Sequence, residues 1–154
     1  YNLLPYKALP PASMAQLKKY GAQGGAMLLS GSYLGSDTKT EEERLFMDEM
    51  FGVRAPGRVA NDTLEGVWGM NTPIELYNLP NATHYFVQHT DVLEPTKSSA
   101  FSVFSYGKGG FSAGVANAED MQRSITLGFP FECIKDETLR KYVMQGALKY
   151  LLKK

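Results

Sequence analysis

The sequence predicts an α/β domain, in which helices cover a sheet, and three segments carry that prediction. Residues 26–29 are apolar at consecutive positions, which is typical of a strand covered on both faces and favours a central, parallel position. Residues 101–116 predict a β-hairpin, because two apolar runs flank the glycine-rich turn 107–110. Residues 124–129 predict a third strand, and an amphipathic helix follows them.

Three amphipathic helices are expected to pack on this sheet. The first spans residues 12–22 and begins after two prolines, which a helix tolerates in its first turn. The second spans residues 41–51, where Thr40 and Glu43 have the spacing of a capping box. The third is capped by Asp136 and ends near Leu152. Their apolar faces predict burial of Leu45, Phe46, Met50 and Phe51 in the second helix and of Leu139, Val143, Ala147, Tyr150 and Leu151 in the third.

Between the second helix and the hairpin, prolines and glycines divide the chain into short pieces. We expect short strands and loops there, including segments at residues 66–70 and 85–88. The sequence contains no internal repeat and no convincing linker, so residues 1–154 are interpreted as a single domain. We expect this domain to be partial.

Composition excludes several classes of partner. Sixteen basic and sixteen acidic residues cancel, which disfavours electrostatic binding of nucleic acid. One cysteine, Cys133, excludes an intrachain disulfide. No apolar run approaches the roughly 18 residues of a membrane span. The chain begins at Tyr1 without a methionine or a signal peptide, which is typical of a processed or excised piece.

The segment after the first strand has the frame of a nucleophile elbow. Such turns carry a nucleophile between two small residues, in the pattern G-x-nucleophile-x-G. Gly31 and Gly35 have this spacing, and Tyr33 stands between them. A phenol with a pKa of about 10 needs a strong base or a cation nearby, and the sequence displays neither. We therefore interpret the elbow as a tight turn that presents a tyrosine, with Gly31, Ser32 and Tyr33 as candidate binding residues.

Other candidate chemistry has a simpler structural interpretation. His84 and His89 lie near Asp91 and Glu94, but their spacing matches no zinc motif, so no metal site and no cofactor are predicted. Cys133 has apolar neighbours and is expected to be a packed thiol. Exposed aromatic side chains in the irregular middle could stack on a sugar, and Trp68 and Tyr77 join Tyr33 as candidates for that role.

Two segments resemble class I glutamine amidotransferase-like domains, which have a flavodoxin-like, three-layer α/β/α fold. The glycine pair, the apolar strand and the G-x-Tyr33-x-G turn match that family's elbow, which usually carries cysteine. Residues 127–132 and the closing helix match the last strand, where the family has a Phe-His-Pro-Glu segment. In this resemblance, Tyr33 stands at the position of the family's nucleophile, Pro130 at that of its histidine and Glu132 at that of its acid. Two of the three catalytic groups are thus replaced, which predicts a catalytically inactive domain.

The last strand and helix also resemble domains in secreted polysaccharide-processing proteins of the xanthan lyase type. This resemblance implies an accessory or interaction domain that is secreted or at the cell surface, with polysaccharide or other domains of its parent protein as partners. Two alternatives remain open: a divergent glycan hydrolase or lyase using Tyr33, Glu132 and His84 or His89, and a structural dimerisation module. The family's strands that precede the elbow strand are missing here. We therefore expect another part of the protein or a second chain, as in a homo-oligomer, to complete the sheet.

Overall fold

The computed structural model describes residues 9–60, 64 and 66–153. Within them the chain forms three helices and eight strands. In chain order these are α1 (Pro11–Ala22), β1 (Ala26–Ser30), α2 (Glu41–Phe51), β2 (Val53–Gly57), β3 (Val67–Gly69), β4 (Thr72–Ile74), β5 (Val92–Pro95), β6 (Ala100–Tyr106), β7 (Ser112–Glu119), β8 (Gln122–Leu127) and α3 (Glu137–Leu151). A short 3₁₀ turn, Phe131–Cys133, lies between β8 and α3.

These elements build three layers. The middle layer is a six-stranded sheet in the order β1-β8-β7-β6-β3-β4. On one face, α3 packs over the apolar side chains of β6, β7 and β8. On the other face, α1 and α2 form a second cluster together with the two-stranded sheet β2-β5. The predicted three-layer α/β class is confirmed.

The position predicted for the first strand is wrong in one respect. β1 is parallel to β8, as expected, but among the described residues it stands at the end of the strand order, so it is an edge strand there. Its consecutive apolar residues have a different cause: Met27 packs toward α1 and α2, and Leu28 packs toward α3. Two covered faces require apolar side chains on both sides, but they do not require two neighbouring strands.

Most strand pairs of the six-stranded sheet are antiparallel, although the pattern of the first strand favoured a parallel arrangement. The β6-β7 hairpin forms as predicted, and the pairs β7-β8, β3-β6 and β3-β4 are antiparallel too. Residues 66–70 contain the short strand β3, whereas residues 85–88 form no strand. The backbone of this second segment is held instead by a hydrogen bond of 2.7 Å from the Val87 N–H to the Tyr77 carbonyl.

All three helices lie where the sequence predicts them. Asp136 caps α3 by accepting the Leu139 N–H at 2.8 Å, and the predicted apolar face of α3 docks on the sheet. One position in α2 differs, because Leu45 is 48% exposed and Met47 is buried in its place. The buried side of α2 is centred on Phe46, Met47 and Met50, and Leu45 lies at its border. No helix in the described part of the chain is long and apolar enough to cross a membrane.

The capping box of α2 makes its stability depend on pH. The Glu43 carboxylate accepts the N–H groups of Thr40 and Lys39, and the first of these contacts is the main cause that lowers the pKa of Glu43 below 4.5. A lowered pKa stabilises the fold above about pH 4.5, and that contribution is lost as the pH falls through the folded-state value.

We predict that Glu43→Gln, which keeps an acceptor oxygen but removes the charge, destabilises the chain at pH 7 by about 0.3–1 kcal/mol. Thermal unfolding of both proteins at pH 7 and pH 3 checks this, and the difference in Tm should be smaller at pH 3. A difference that is equal at both pH values would contradict the electrostatic origin.

Candidate functional site

Tyr33 lies at the apex of a strained turn directly after β1. Its φ of 65° is in the left-handed region, which residues other than glycine rarely adopt. The turn closes with a hydrogen bond of 3.1 Å from the Asp37 N–H to the Tyr33 carbonyl, and α2 begins four residues after Asp37. The strained turn predicted from Gly31 and Gly35 is confirmed, with a phenol where an elbow would carry its nucleophile.

A buried carboxylate holds this turn in place. Asp91 is fully buried, and its two oxygens accept the N–H groups of Gly35 and Ser36, each at 3.1 Å. Successive N–H groups that point outward from a turn are suited to binding an anion. In this chain the anion is the side chain of Asp91, so these two donors are already satisfied.

The segment that carries Asp91 is itself anchored to the end of β8. The Asp91 N–H donates to the Gly128 carbonyl at 2.8 Å. The hydroxyl of Tyr106 lies 2.9 Å from the Asp91 carbonyl and 2.8 Å from that of Gly128, so it can donate to either. Burial is the main cause that raises the pKa of Tyr106, which keeps its hydroxyl a donor. The elbow turn is thus tied to the sheet through Asp91.

His89 forms the floor beneath Tyr33. The two rings are stacked, with centroids 4.4 Å apart and planes inclined by 15°. The Nε2 atom of His89 lies 3.1 Å from Ser36 Oγ and 3.4 Å from Asp91 Oδ1. A Ser-His-Asp triad places the serine and the carboxylate on opposite ring nitrogens, whereas here both approach the same one. This arrangement positions the ring and does not form a proton relay.

The residues of the hydrolase or lyase alternative are not joined by hydrogen bonds. Glu132 is exposed on the 3₁₀ turn, and Pro130, at the position matched to the family's histidine, is buried. His84 is stacked on Tyr77, with ring centroids 4.4 Å apart. In the described part of the chain, no hydrogen bond links the Tyr33 hydroxyl to Glu132 or to either histidine. General acid–base catalysis needs such contacts, directly or through one water molecule.

Other aromatic side chains extend the surface around Tyr33. Tyr85 is 41% exposed, and its pKa is raised mainly by burial and further by the Glu132 carboxylate, while the Ser32 hydroxyl opposes that shift. Tyr77 is adjacent, because its N–H donates to the Cys133 carbonyl and the Cys133 thiol contacts the Tyr85 carbonyl. We call Ser32, Tyr33, Tyr77, Tyr85 and Glu132 the elbow surface.

Trp68 lies elsewhere. It is on β3, which β8, β7 and β6 separate from β1, and the Lys108 ammonium lies 5.2 Å from its ring centroid. The structure therefore places Tyr77 beside Tyr85 and leaves Trp68 apart from Tyr33. Sequence reasoning missed Ser36 and the anchoring role of Asp91. The only local signal for them was that His89 and Asp91 share one short segment, and the chain's long-range packing decides what that segment contacts.

Cys133 is a packed thiol, as predicted. It is fully buried, and burial together with the nearby Glu132 carboxylate raises its pKa to about 12, so it stays protonated at neutral pH. Among the described residues, no three His, Cys, Asp or Glu side chains are grouped so that they could hold a metal ion.

Comparisons with known proteins concern the fold. No family model and no curated protein matches the chain. Among solved structures, it is similar to a catalytic mutant of Gan42B, a GH42 β-galactosidase from G. stearothermophilus, with a TM-score of 0.63, 14% identity and 90% of this chain covered. A β-galactosidase from the Antarctic haloarchaeon Halorubrum lacusprofundi has a TM-score of 0.61, 17% identity and 96% coverage. One from Rahnella sp. R3 has a TM-score of 0.59, 12% identity and 93% coverage. The chain spans about a fifth of the length of these enzymes, 19–21%.

Proposed function

We propose that this chain is a catalytically inactive accessory domain of a secreted or cell-surface protein that processes polysaccharide or cell-wall glycan, and that its elbow surface binds glycan. One observation carries the proposal. The elbow frame is retained with its strained backbone, but a tyrosine occupies the apex and the neighbouring N–H groups are bonded to the chain's own Asp91. Strained residues persist where the surrounding structure holds them, and they are concentrated at functional sites.

The chemistry of the elbow surface suits a sugar. The Tyr33 ring lies with one face on His89, which fixes its orientation, and the side chain is partly exposed. The hydroxyl of Ser32, the phenols of Tyr77 and Tyr85 and the carboxylate of Glu132 supply hydrogen-bonding groups around it. Flat apolar rings that carry polar tips suit a ligand with apolar C–H faces and many hydroxyls.

The resemblance to glutamine amidotransferase-like domains of the xanthan lyase type supports the proposal that the parent protein processes polysaccharide. The likeness to one fifth of several β-galactosidase chains is consistent with it, because a module of this shape occurs within enzymes named for acting on a galactoside. An accessory domain needs no catalytic group of its own.

Binding to two soluble polysaccharides, xanthan and β-1,4-galactan, tests the proposal by affinity electrophoresis and isothermal titration calorimetry. We expect wild-type chain to bind at least one of them, and Tyr33→Ala to weaken binding about tenfold, equivalent to about 1.4 kcal/mol. Trp68→Ala is the matched control, because it removes an aromatic ring of the remote strand β3 and should leave the affinity unchanged.

Failure to bind either polysaccharide, or equal binding by wild type and Tyr33→Ala, would contradict the proposal. Release of reducing sugar that depends on Tyr33 and Glu132 would favour the hydrolase alternative, and release of unsaturated sugar the lyase. Circular dichroism melts establish that each variant is folded.

A structural dimerisation module is the second candidate, and the position of β1 favours it. Within the described residues β1 pairs with β8 alone, so its other edge presents backbone donors and acceptors to a further strand. Sedimentation equilibrium of the chain distinguishes a dimer from a monomer.

A further inference from the structure

The edge strands of the described structure differ in how they are protected against pairing with another chain. β4, at one end of the six-stranded sheet, is three residues long and has Pro73 at its centre. β2, an edge of the two-stranded sheet, carries Arg54 and Pro56, and its register with β5 is irregular. Short length, proline, charge and bulges are the devices by which proteins prevent strand edges from pairing. Both of these edges are therefore blocked.

β1 has none of these devices apart from its modest length. Its five residues, 26–30, are uncharged, include no proline and pair with β8 in an unbroken parallel register. Four of the five are partly exposed, and Leu28 and Leu29 are among them. Within the described residues, no second strand lies beside β1. Its free edge presents backbone donors and acceptors beside apolar side chains, which is the chemistry that another β-strand recognises.

Exposed apolar side chains continue this edge at its amino end. Tyr20, Met121 and Leu152 line one depression together with Ala26, the first residue of β1. They are 49%, 74% and 67% exposed, respectively, and we call them the amino-end patch. The Tyr20 hydroxyl donates to the Ala26 carbonyl at 3.4 Å, which holds this ring close to the edge. An apolar patch beside an unprotected strand edge is typical of a contact between protein chains.

The two ends of β1 carry opposite charge. The depression at the amino end is lined by two basic residues and one acidic residue, Arg123, Lys153 and Asp120. At the carboxyl end, the elbow turn 31–37 and the 3₁₀ turn contain Asp37 and Glu132 and no basic residue. When two identical strands pair in antiparallel orientation, the amino end of each lies beside the carboxyl end of the other. The basic end of one copy then meets the acidic end of its partner.

We propose that two copies of this chain pair along β1 in antiparallel orientation, with Leu28 of each copy opposite Leu28 of the other on a twofold axis. The proposal rests on the dimerisation function named above as the second candidate, and it adds the surface, the orientation and the register. A second copy matches both ends of the edge at once, because the amino-end patch of each copy then lies against the elbow turn of the other. Such a contact closes after two copies, and Pro73 in β4 blocks the far end of the sheet.

Hydrogen exchange at several protein concentrations tests the paired edge in the unmodified chain. Sedimentation velocity first identifies the concentrations at which the chain is a monomer and a dimer. We expect the amides of β1 to exchange about tenfold more slowly in the dimer, and those of β4, the remote edge, to be unchanged. A chain that is still monomeric at about 1 mM overturns the dimer and this proposal with it. A dimer whose β1 amides exchange as in the monomer overturns the β1 surface alone.

Two cysteine variants test the register. Opposed Cα atoms of an antiparallel pair lie about 4.5–5.5 Å apart, which a disulfide can span. Leu28→Cys should therefore form a disulfide-linked dimer under mild oxidation. Ala26→Cys is the matched control, because its two copies would stand about 13 Å apart along the strands and should not be linked. Cys133 is fully buried, so the wild-type chain should stay unlinked. Equal linking of both variants overturns the register.

Met121→Glu tests the amino-end patch. It places an acid opposite the acidic end of the partner and should weaken the dimer by about tenfold. Phe111→Glu is the matched control, because it makes the same kind of change at a side chain that is 69% exposed in the β6–β7 turn, and it should leave the dimer unchanged. Circular dichroism melts establish that both variants are folded. Equal dimer affinities of the two variants would overturn the role of the patch.

Discussion

Asp91→Ala is expected to lower the free energy of unfolding by about 3 kcal/mol, one of the two largest effects that we predict for a single substitution in this chain. The substitution leaves the N–H groups of Gly35 and Ser36 without their acceptor, and Gly35 is buried. It also removes the oxygen that lies 3.4 Å from His89 Nε2. Thermal or urea unfolding measures the loss, and at about 2–4 °C per kcal/mol the Tm should fall by about 6–12 °C.

Two further variants identify the cause. Asp91→Asn keeps one carbonyl oxygen as an acceptor, so its loss should be smaller. Asp37→Ala removes the same type of side chain from the elbow turn itself, where no hydrogen bond of that side chain is seen, and should change stability by less than about 0.5 kcal/mol. If Asp91→Ala and Asp37→Ala unfold at the same temperature, the anchoring role of Asp91 is wrong.

Gly35→Ala is expected to destabilise the chain by about 2–3 kcal/mol, whereas Gly31→Ala should be close to neutral. A Cβ on Gly35 would lie 1.9 Å from the Cβ of Ala55 in β2, which is far inside contact distance. A Cβ on Gly31 would meet only the Leu34 side chain, at 3.5 Å, which is an ordinary contact. Chemical unfolding of the two variants measures the contrast.

A second substitution tests whether the contact with Ala55 is responsible. Ala55→Gly removes the atom that the new methyl group meets, so the double variant Gly35→Ala/Ala55→Gly should recover most of the loss in a double-mutant cycle. If the two substitutions are simply additive, strain elsewhere in the turn must account for the effect. The four variants would thereby show that packing requires glycine at position 35 and does not require it at position 31.

Local patterns in the sequence predicted most of the secondary structure. Thr40 and Glu43 located the start of α2, Asp136 located the start of α3, and the glycine turn located the β6–β7 hairpin, because each of these signals acts between residues a few positions apart. The errors arose where a local pattern has two possible causes. Consecutive apolar residues in β1 indicated burial on both faces, but they could not distinguish a central strand from an edge strand that helices cover on both sides.

The candidate site was predictable only in outline. The spacing of Gly31, Tyr33 and Gly35 predicted a sharp turn, and the resemblance to an amidotransferase-like elbow predicted that its chemistry is lost. Asp91 is 56 residues from Gly35 along the chain, and no short-range pattern connects them. In the sequence, His89 was a candidate metal ligand or catalytic residue. In the structure its ring is stacked on the ring of Tyr33.

The sequence by itself therefore determined the α/β class, the limits of the helices and the presence of a strained turn without a cysteine or serine at its apex. Only the tertiary structure decided the edge position of β1, the separation of Trp68 from Tyr33 and the anchoring of the turn by Asp91. The physical reason is range. Backbone propensity, capping and turn chemistry act over a few residues, whereas strand order and side-chain contacts depend on how distant segments share one core.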